Sequence, residues 1–308
     1  MTNPKVSVTS EQMNDGSSEN HGSRGPCEVL APERQTVPLV FASPHSGRLY
    51  TEEFLQSSAL DEITIRRSED SFVDELFAAA PDHGAPLLRA YFPRAFIDAN
   101  REPFELDPEM FEDELPDYVN TQSNRVAAGL GTVARMVANG HDIYRAKLRF
   151  ADIAGRINDF YRPYHRTLRR LIDDTRGEFG YCMVIDCHSM PSIGGPLDPD
   201  AGHGRADFIL GDCFGSAGDK ILTGTVENAL RAIGHSVTRN KPFSGGFTTR
   251  HYGRPNEGVH AVQIEINRAL YMDETTITRG PNMALLKEHI SQVIGALAEL
   301  GRLDLAAE

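Results

Sequence analysis

The sequence predicts an α/β protein: a largely parallel or mixed central sheet with helices on both faces. Three observations carry that prediction. Beyond residue 36, short apolar runs alternate with stretches of helical spacing down to the C-terminus. Two of the runs, 37–42 and 182–185, lead into polar clusters that each contain a histidine. Open α/β sheets gather their chemistry outside the carboxyl ends of the strands, where these clusters fall.

Residues 1–35 are rich in Ser, Asn, Gly, Glu and Pro, cannot bury enough apolar surface to order themselves, and read as a disordered N-terminal tail. Residues 36–308 read as a single domain. The run 37–42 is a strand closed by Ser43-Pro44-His45-Ser46-Gly47. Residues 71–80 place Phe72, Val73, Leu76, Phe77 and Ala80 at helical spacing. Stretches 87–92 and 95–98 read as extended segments separated by Pro93. The segment 102–117 is crowded with acids, has no Lys or Arg and holds three prolines, which suits a solvated loop or a lid over a pocket. Residues 123–139 read as a helix with Ser or Thr candidates near its start and Gly140 beyond its end. A longer helix is expected over 153–174, with Arg162, His165, Arg166, Arg169 and Arg170 on its surface face. Strands follow at 182–185 and 208–210, a helix at 217–233, a strand at 261–266 and a closing amphipathic helix at 282–300.

Composition narrows the function classes. With 40% hydrophobic and 24% charged residues, the 308-residue chain has the make-up of a globular protein with a sizeable core. A net charge of −13 argues against a nucleic-acid partner, although a few local arginines can still make a pocket for an anion. The cysteines at 27, 182, 187 and 213 form no CxxC pair, so neither a thiolate zinc knuckle nor a disulfide scaffold is expected. No apolar run is long enough for a membrane span and no secretory signal is present, so the expected location is the cytoplasm. The pattern specifies no oligomeric state.

A catalytic metal site takes His and carboxylate ligands and leaves a position open. His45 and His188 are the two histidines at expected strand ends. The carboxylate could come from Glu69 or Asp70, which the positive end of a helix at 71–80 would also favour, or from Asp186. Asp186 is better placed to orient a ligand by hydrogen bonding. Asn100 and Arg101 together offer an amide and a guanidinium fork suited to a carboxylate. Glu265 shares a strand face with Gln263, and an acid buried there is costly unless paired or functional, which makes it a candidate for proton transfer.

Taken together, these runs resemble the N-formylglutamate amidohydrolase family. The matching pieces are Ser43 to Gly47, Ser68 to Leu76, Arg94 to Arg101, Asp186 to Ser189, Gly246 to Pro255, Gln263 to Asn267, and Tyr271-Met272. The resemblance spans about residues 37–300. It implies a phosphorylase/hydrolase-like α/β fold related to zinc exopeptidases. It implies hydrolysis of N-formyl-L-glutamate to formate and glutamate in histidine degradation; the alternative is another N-acyl or N-formyl amino acid on the same site. Carried onto this chain, the metal ligands would be His45, Asp70 and His188, holding Zn2+ or another divalent metal. Zinc carboxypeptidases place a Glu three residues after the first His; here that position is Arg48. Glu265 would be the general base and Arg94 the oxyanion donor. Asn100 and Arg101 would hold one carboxylate of an anionic substrate, and Arg250 and His251 the other.

Overall fold

The computed structural model describes residues 25–137, 140–196 and 198–305. Its centre is a seven-stranded mixed sheet. The strands are β1 (Cys27–Leu30), β2 (Leu39–Ser43), β3 (Leu87–Ala90), β4 (Cys182–Met190), β5 (Phe208–Gly211), β6 (Val237–Arg239) and β7 (Val259–Asn267). They lie in the spatial order β1-β3-β2-β4-β7-β5-β6. The central pairs β3–β2, β2–β4 and β4–β7 are parallel, whereas β1 against β3 and β5 against β7 are antiparallel.

Alternation along the strands sorts their side chains between two layers. Phe41, Ile185 and Ile264 point into a core shared with helices α4 (Lys220–Ile233) and α6 (Met283–Leu305). Val40, Val184 and Ala261 face the opposite layer, built on α2 (Phe150–Arg156) and α3 (Arg162–Phe179), which one π-helical turn joins. Burial on both faces is why these strands read as apolar runs rather than as alternating ones. Gly180 ends α3, beyond the expected end at 174, and Gly234 ends α4, both with left-handed backbone.

This sorting places the polar residues. On β4, Asp186 and His188 share the face of Val184; on β7, Gln263 and Glu265 share the face of Ala261. The parallel register sets Asp186 beside Gln263 and His188 beside Glu265.

Several expectations need correction. The tail reading fails at its inner end, because Cys27–Leu30 is an edge strand paired with β3; residues 1–24 lie outside the described residues. Within 71–80 only Val73–Leu76 (α1) is α-helical, and Phe72 before it takes a left-handed backbone. The segment expected as extended over 95–98 starts instead in a turn at 94–96, with Phe96 N donating to Pro93 O at 3.0 Å. The expected helix over 123–139 shrinks to Asn124–Ala127, capped by Ser123. Gly129 then turns the chain with φ +71, and Gly131 approaches Glu105 so closely that a Cβ would lie 2.2 Å from its carbonyl oxygen. The acidic segment is half inside: Glu105, Leu106, Asp107, Met110 and Phe111 are buried, while Glu112, Asp113 and Glu114 are exposed. The α3 arginines 162, 166, 169 and 170 are exposed, as expected, but His165, expected on the same face, turns inward to Ala99 O and Tyr252 OH. No helix of the described residues is long and apolar enough to cross a membrane.

Candidate active site

His45 leaves the end of β2 in a turn that only glycine can complete, since a Cβ on Gly47 would lie 2.1 Å from Phe92 O. The carbonyl of His45 accepts from Asp70 N at 3.0 Å, which draws the Asp70 turn to the strand end. His188 arrives from within β4. Asp70 Oδ2 then stands 3.3 Å from His45 Nδ1 and 2.9 Å from His188 Nδ1. The outer ring nitrogens face carboxylates: His45 Nε2 lies 2.7 Å from Asp98 Oδ1, and His188 Nε2 lies 2.8 Å from Asp186 Oδ1. The other oxygen of Asp70 accepts from Arg268 Nη2 at 3.1 Å.

These donors fit a divalent cation. One ligand atom from each of His45, Asp70 and His188 lies within 4.8 Å of the others, and all three residues are buried. The Asp98 carboxylate behind His45 would hold the proton on its Nε2 and turn the Nδ1 lone pair inward, as outer-sphere carboxylates do for metal-binding histidines. Three protein ligands also leave a coordination position open.

A hydrogen-bonded frame supports the cluster. Asp98 accepts from Asn100 N at 2.8 Å and from Arg94 Nε at 2.9 Å. The Asn100 amide nitrogen lies 3.0 Å from His188 Nε2 and 3.3 Å from Asp186 Oδ2. Its oxygen accepts from Thr248 N at 2.7 Å. Thr248 belongs to helix α5 (Phe247–Tyr252), whose Thr249 hydroxyl donates to Asp186 at 3.2 Å. Gly246 before it packs on Asn100, where a Cβ would lie 2.3 Å from the amide nitrogen. Gly246 N donates to Gln263 Oε1 at 2.7 Å, and Gln263 Nε2 donates to Glu265 Oε1 at 2.8 Å.

Burial and charge oppose each other at each group. Burial alone would raise the Asp98 carboxyl, but Arg101, His45 and Arg94 hold it well below the usual carboxylate range. Burial alone would discourage a charge on His188, yet Asp186, Asp70 and Glu265 raise its pKa well above the ordinary imidazole value. This nest therefore favours a positive charge, from a proton or from a metal. Glu265 shows the reverse balance: burial pushes it up to about 7 against the pull of His188 and Arg94.

The cluster opens into a cavity of about 370 Å³, within the usual range for small-ligand sites. Arg94, Asn100, Arg101, Arg250 and Glu265 line it with His45 and His188. Not every residue is free to bind. The Asn100 side chain is fully engaged by protein groups, as described. Arg101 donates to Leu130 O and to Asn100 O, both at 2.9 Å; burial brings its pKa down to about 10, so it stays charged at neutral pH. Arg250 is exposed at the rim, reaching Gly245 O at 3.3 Å. His251 is a correction: it is absent from the cavity wall, meets Arg169 at 3.2 Å and stacks on Phe247. Cys187 is buried and raised by burial, an inert neighbour of His188. The sequence reading missed two groups, Asp98 behind His45 and Arg268 behind Asp70. The cues were slight, an acid and an arginine each adjoining a polar motif.

Residues 37–272 match the family described as N-formylglutamate amidohydrolase. The N-formylglutamate deformylase of Pseudomonas aeruginosa is 32% identical over 255 residues, covering 80% of this chain and 86% of that protein. Its counterpart in Pseudomonas putida is 30% identical over 252 residues, with the same coverage of 80% and 86%. The crystal structure of N-formylglutamate amidohydrolase from Ralstonia eutropha JMP134 superposes with a TM-score of 0.84 at 34% identity, over 91% of this chain and 100% of that one. A gene product of Agrobacterium tumefaciens, Atu2144, shares the fold with a TM-score of 0.64 at 17% identity, over 90% of this chain and 96% of that one.

Proposed function

The chain belongs to the N-formylglutamate amidohydrolase family, and from that premise we propose that it is a metal-dependent hydrolase of N-formyl-L-glutamate, releasing formate and L-glutamate. The observation that carries metal dependence is the convergence of His45 Nδ1, His188 Nδ1 and Asp70 Oδ2 at one buried point. Zinc, or another divalent ion that accepts two imidazoles and a carboxylate, supplies Lewis acidity and an acidified water there.

The chain's own groups do the rest. Asp98 fixes the tautomer of His45, and Asn100 holds Asp186 beside His188. Glu265, held by Gln263, takes a proton from the attacking water and delivers it to the departing amine nitrogen. A carboxyl balanced near 7 suits both transfers. Arg94, anchored by Asp98, faces the carbonyl oxygen as negative charge grows on it; losing one such donor typically costs about 10²–10³-fold in rate. Arg101 spends part of its fork on backbone carbonyls, sets Nη2 3.7 Å from Asp98 Oδ2, and offers its remaining N–H groups to a substrate carboxylate. A place in histidine degradation and a cytoplasmic location belong to the same proposal.

The test is formate release by metal-loaded protein from N-formyl-L-glutamate, with N-acetyl-L-glutamate and N-formyl-L-aspartate alongside, before and after chelation. Release from the first substrate that chelation abolishes is expected. No release from any of the three would refute the reading, and turnover of only the other two would move it to another acyl amino acid.

A further inference from the structure

The cavity wall carries seven arginines, 67, 94, 101, 125, 205, 250 and 268, and their partners separate them. Arg94 is tied to Asp98, and Arg205 to Asp198 and Asp200. Arg268 is tied to Asp70 and to the carbonyls of Arg67 and Glu69. Arg125 stands 3.7 Å from Glu105. Arg101 and Arg250 hold backbone carbonyls. Arg67 differs: its Nε is buried without a partner, and among the described residues no acceptor meets its guanidinium. The next residue, Ser68, has a buried hydroxyl that is also unpartnered, and it lines the same cavity.

The Nε itself and the Ser68 hydroxyl are sealed from the cavity, whereas the two terminal nitrogens of Arg67, a side chain that lines it, are neither sealed nor bonded among the described residues. Terminal donors left free in a pocket wall are available to a ligand that supplies the acceptor. The matching chemistry is a carboxylate, which the two terminal nitrogens of a guanidinium take end-on. The position suits it as well: Arg67 O accepts from Arg268 Nη1 at 2.9 Å, and Arg268 reaches Asp70 at 3.1 Å. Arg67 is therefore one guanidinium away from the ligand cluster, and it lies on a different segment from Arg101.

We propose that Arg67 forms the subsite for a second carboxylate on the substrate, and so selects N-formyl dicarboxylic amino acids over neutral ones. The subsite rests on the formamide-hydrolase reading above and replaces the assignment of that carboxylate to Arg250 and His251. Arg66 cannot serve, because its guanidinium is already paired with Glu69 at 2.8 Å.

The experiment compares metal-loaded wild type, Arg67→Gln, Arg67→Lys and Ser68→Ala on N-formyl-L-glutamate and on its neutral isostere N-formyl-L-glutamine. Arg67→Gln is expected to lower kcat/KM for the glutamate substrate by about 10- to 100-fold, mainly through KM, with little change for the glutamine substrate. Arg67→Lys keeps the charge without the fork and should fall between; Ser68→Ala removes a hydroxyl that is sealed from the cavity and should leave the preference between the two substrates unchanged. Equal losses on both substrates would overturn the subsite and make Arg67 a transition-state or structural group; no loss on either would overturn it too. Calorimetry with glutarate and butyrate keeps this test separate from the functional reading. Wild type that turns over neither substrate refutes the hydrolase assignment, whereas glutarate binding that is tighter than butyrate binding and lost in Arg67→Gln still supports the subsite. Equal glutarate affinity in wild type and Arg67→Gln overturns it.

Discussion

Asp98 places a carboxylate oxygen 2.7 Å from Nε2 of His45, across a sequence separation of 53 residues. The contact fixes which nitrogen of His45 turns toward Asp70. An amide at position 98 keeps the shape but lowers the basicity of the imidazole behind the ligand atom. Asp98→Asn is therefore expected to weaken divalent-metal affinity by about 10- to 100-fold while the protein stays folded. Competition against a chromophoric chelator measures it; an unchanged dissociation constant in the folded variant would remove Asp98 from the metal centre.

Metal binding should release protons. The carboxylates around His188 raise its pKa well above the ordinary value, so the metal-free protein carries a proton there at neutral pH. A cation must displace that proton, and affinity should fall as pH is lowered. Titration calorimetry in two buffers of different ionisation enthalpy reads the number released. Identical heats in both buffers would contradict the picture.

Glu265→Gln separates chemistry from assembly. The amide preserves the bond to Gln263 and leaves His45, Asp70 and His188 untouched, so metal content should stay that of wild type. Turnover should fall by at least about 10²-fold, the usual worth of a positioned general base. The wild-type profile should also lose activity on the acid side, since the base works only when ionised and burial holds it at about 7 without metal. A bound cation draws that limb lower. A fully active Glu265→Gln variant would end its role as base.

Much of this was legible in the sequence where period and punctuation were unambiguous. The buried strands of the central sheet and the closing helix announce themselves as apolar runs and amphipathic spacing. The 182–185 strand was read too short because Asp186 and His188 look like a loop. They remain in the ladder because Gln263 and Glu265 stand beside them on β7 and the polar side chains share one face. The 123–139 helix failed for the opposite reason. Val126, Val133 and Val137 sit at helical spacing, but Gly129 and Gly131 break the helix between Val126 and Val133, and Val133 and Val137 serve different clusters. Asp98 and Arg268 stayed hidden as partners because their meaning depends on contacts with His45 and Asp70 that no local pattern encodes.

His165 gives a pH-dependent stability that can be isolated. It lies on α3, with Nε2 2.9 Å from Ala99 O and Nδ1 2.9 Å from Tyr252 OH. A carbonyl can only accept, so Nε2 carries the proton and Nδ1 accepts from the tyrosine; this is a neutral ring. Burial pushes its pKa down from 6.5 to about 4. A depressed folded value means the unfolded chain takes up the proton first. The stabilisation is therefore present above pH 6.5 and is lost as pH falls toward about 4, a total on the order of 3 kcal/mol, with roughly 2 kcal/mol gone by about pH 5. His165→Gln keeps one donor and one acceptor but has no charge to gain. Urea unfolding at about pH 7.5 and about pH 5 should show a smaller acid loss in the variant, with carboxylate titrations common to both cancelling in the comparison. Parallel losses would mean that His165 does not titrate in this window. The same ring joins the segment that presents Asp98, Asn100 and Arg101 to the helix that carries Thr248 and Thr249, so acid should loosen both arms of the cavity before the central sheet gives way.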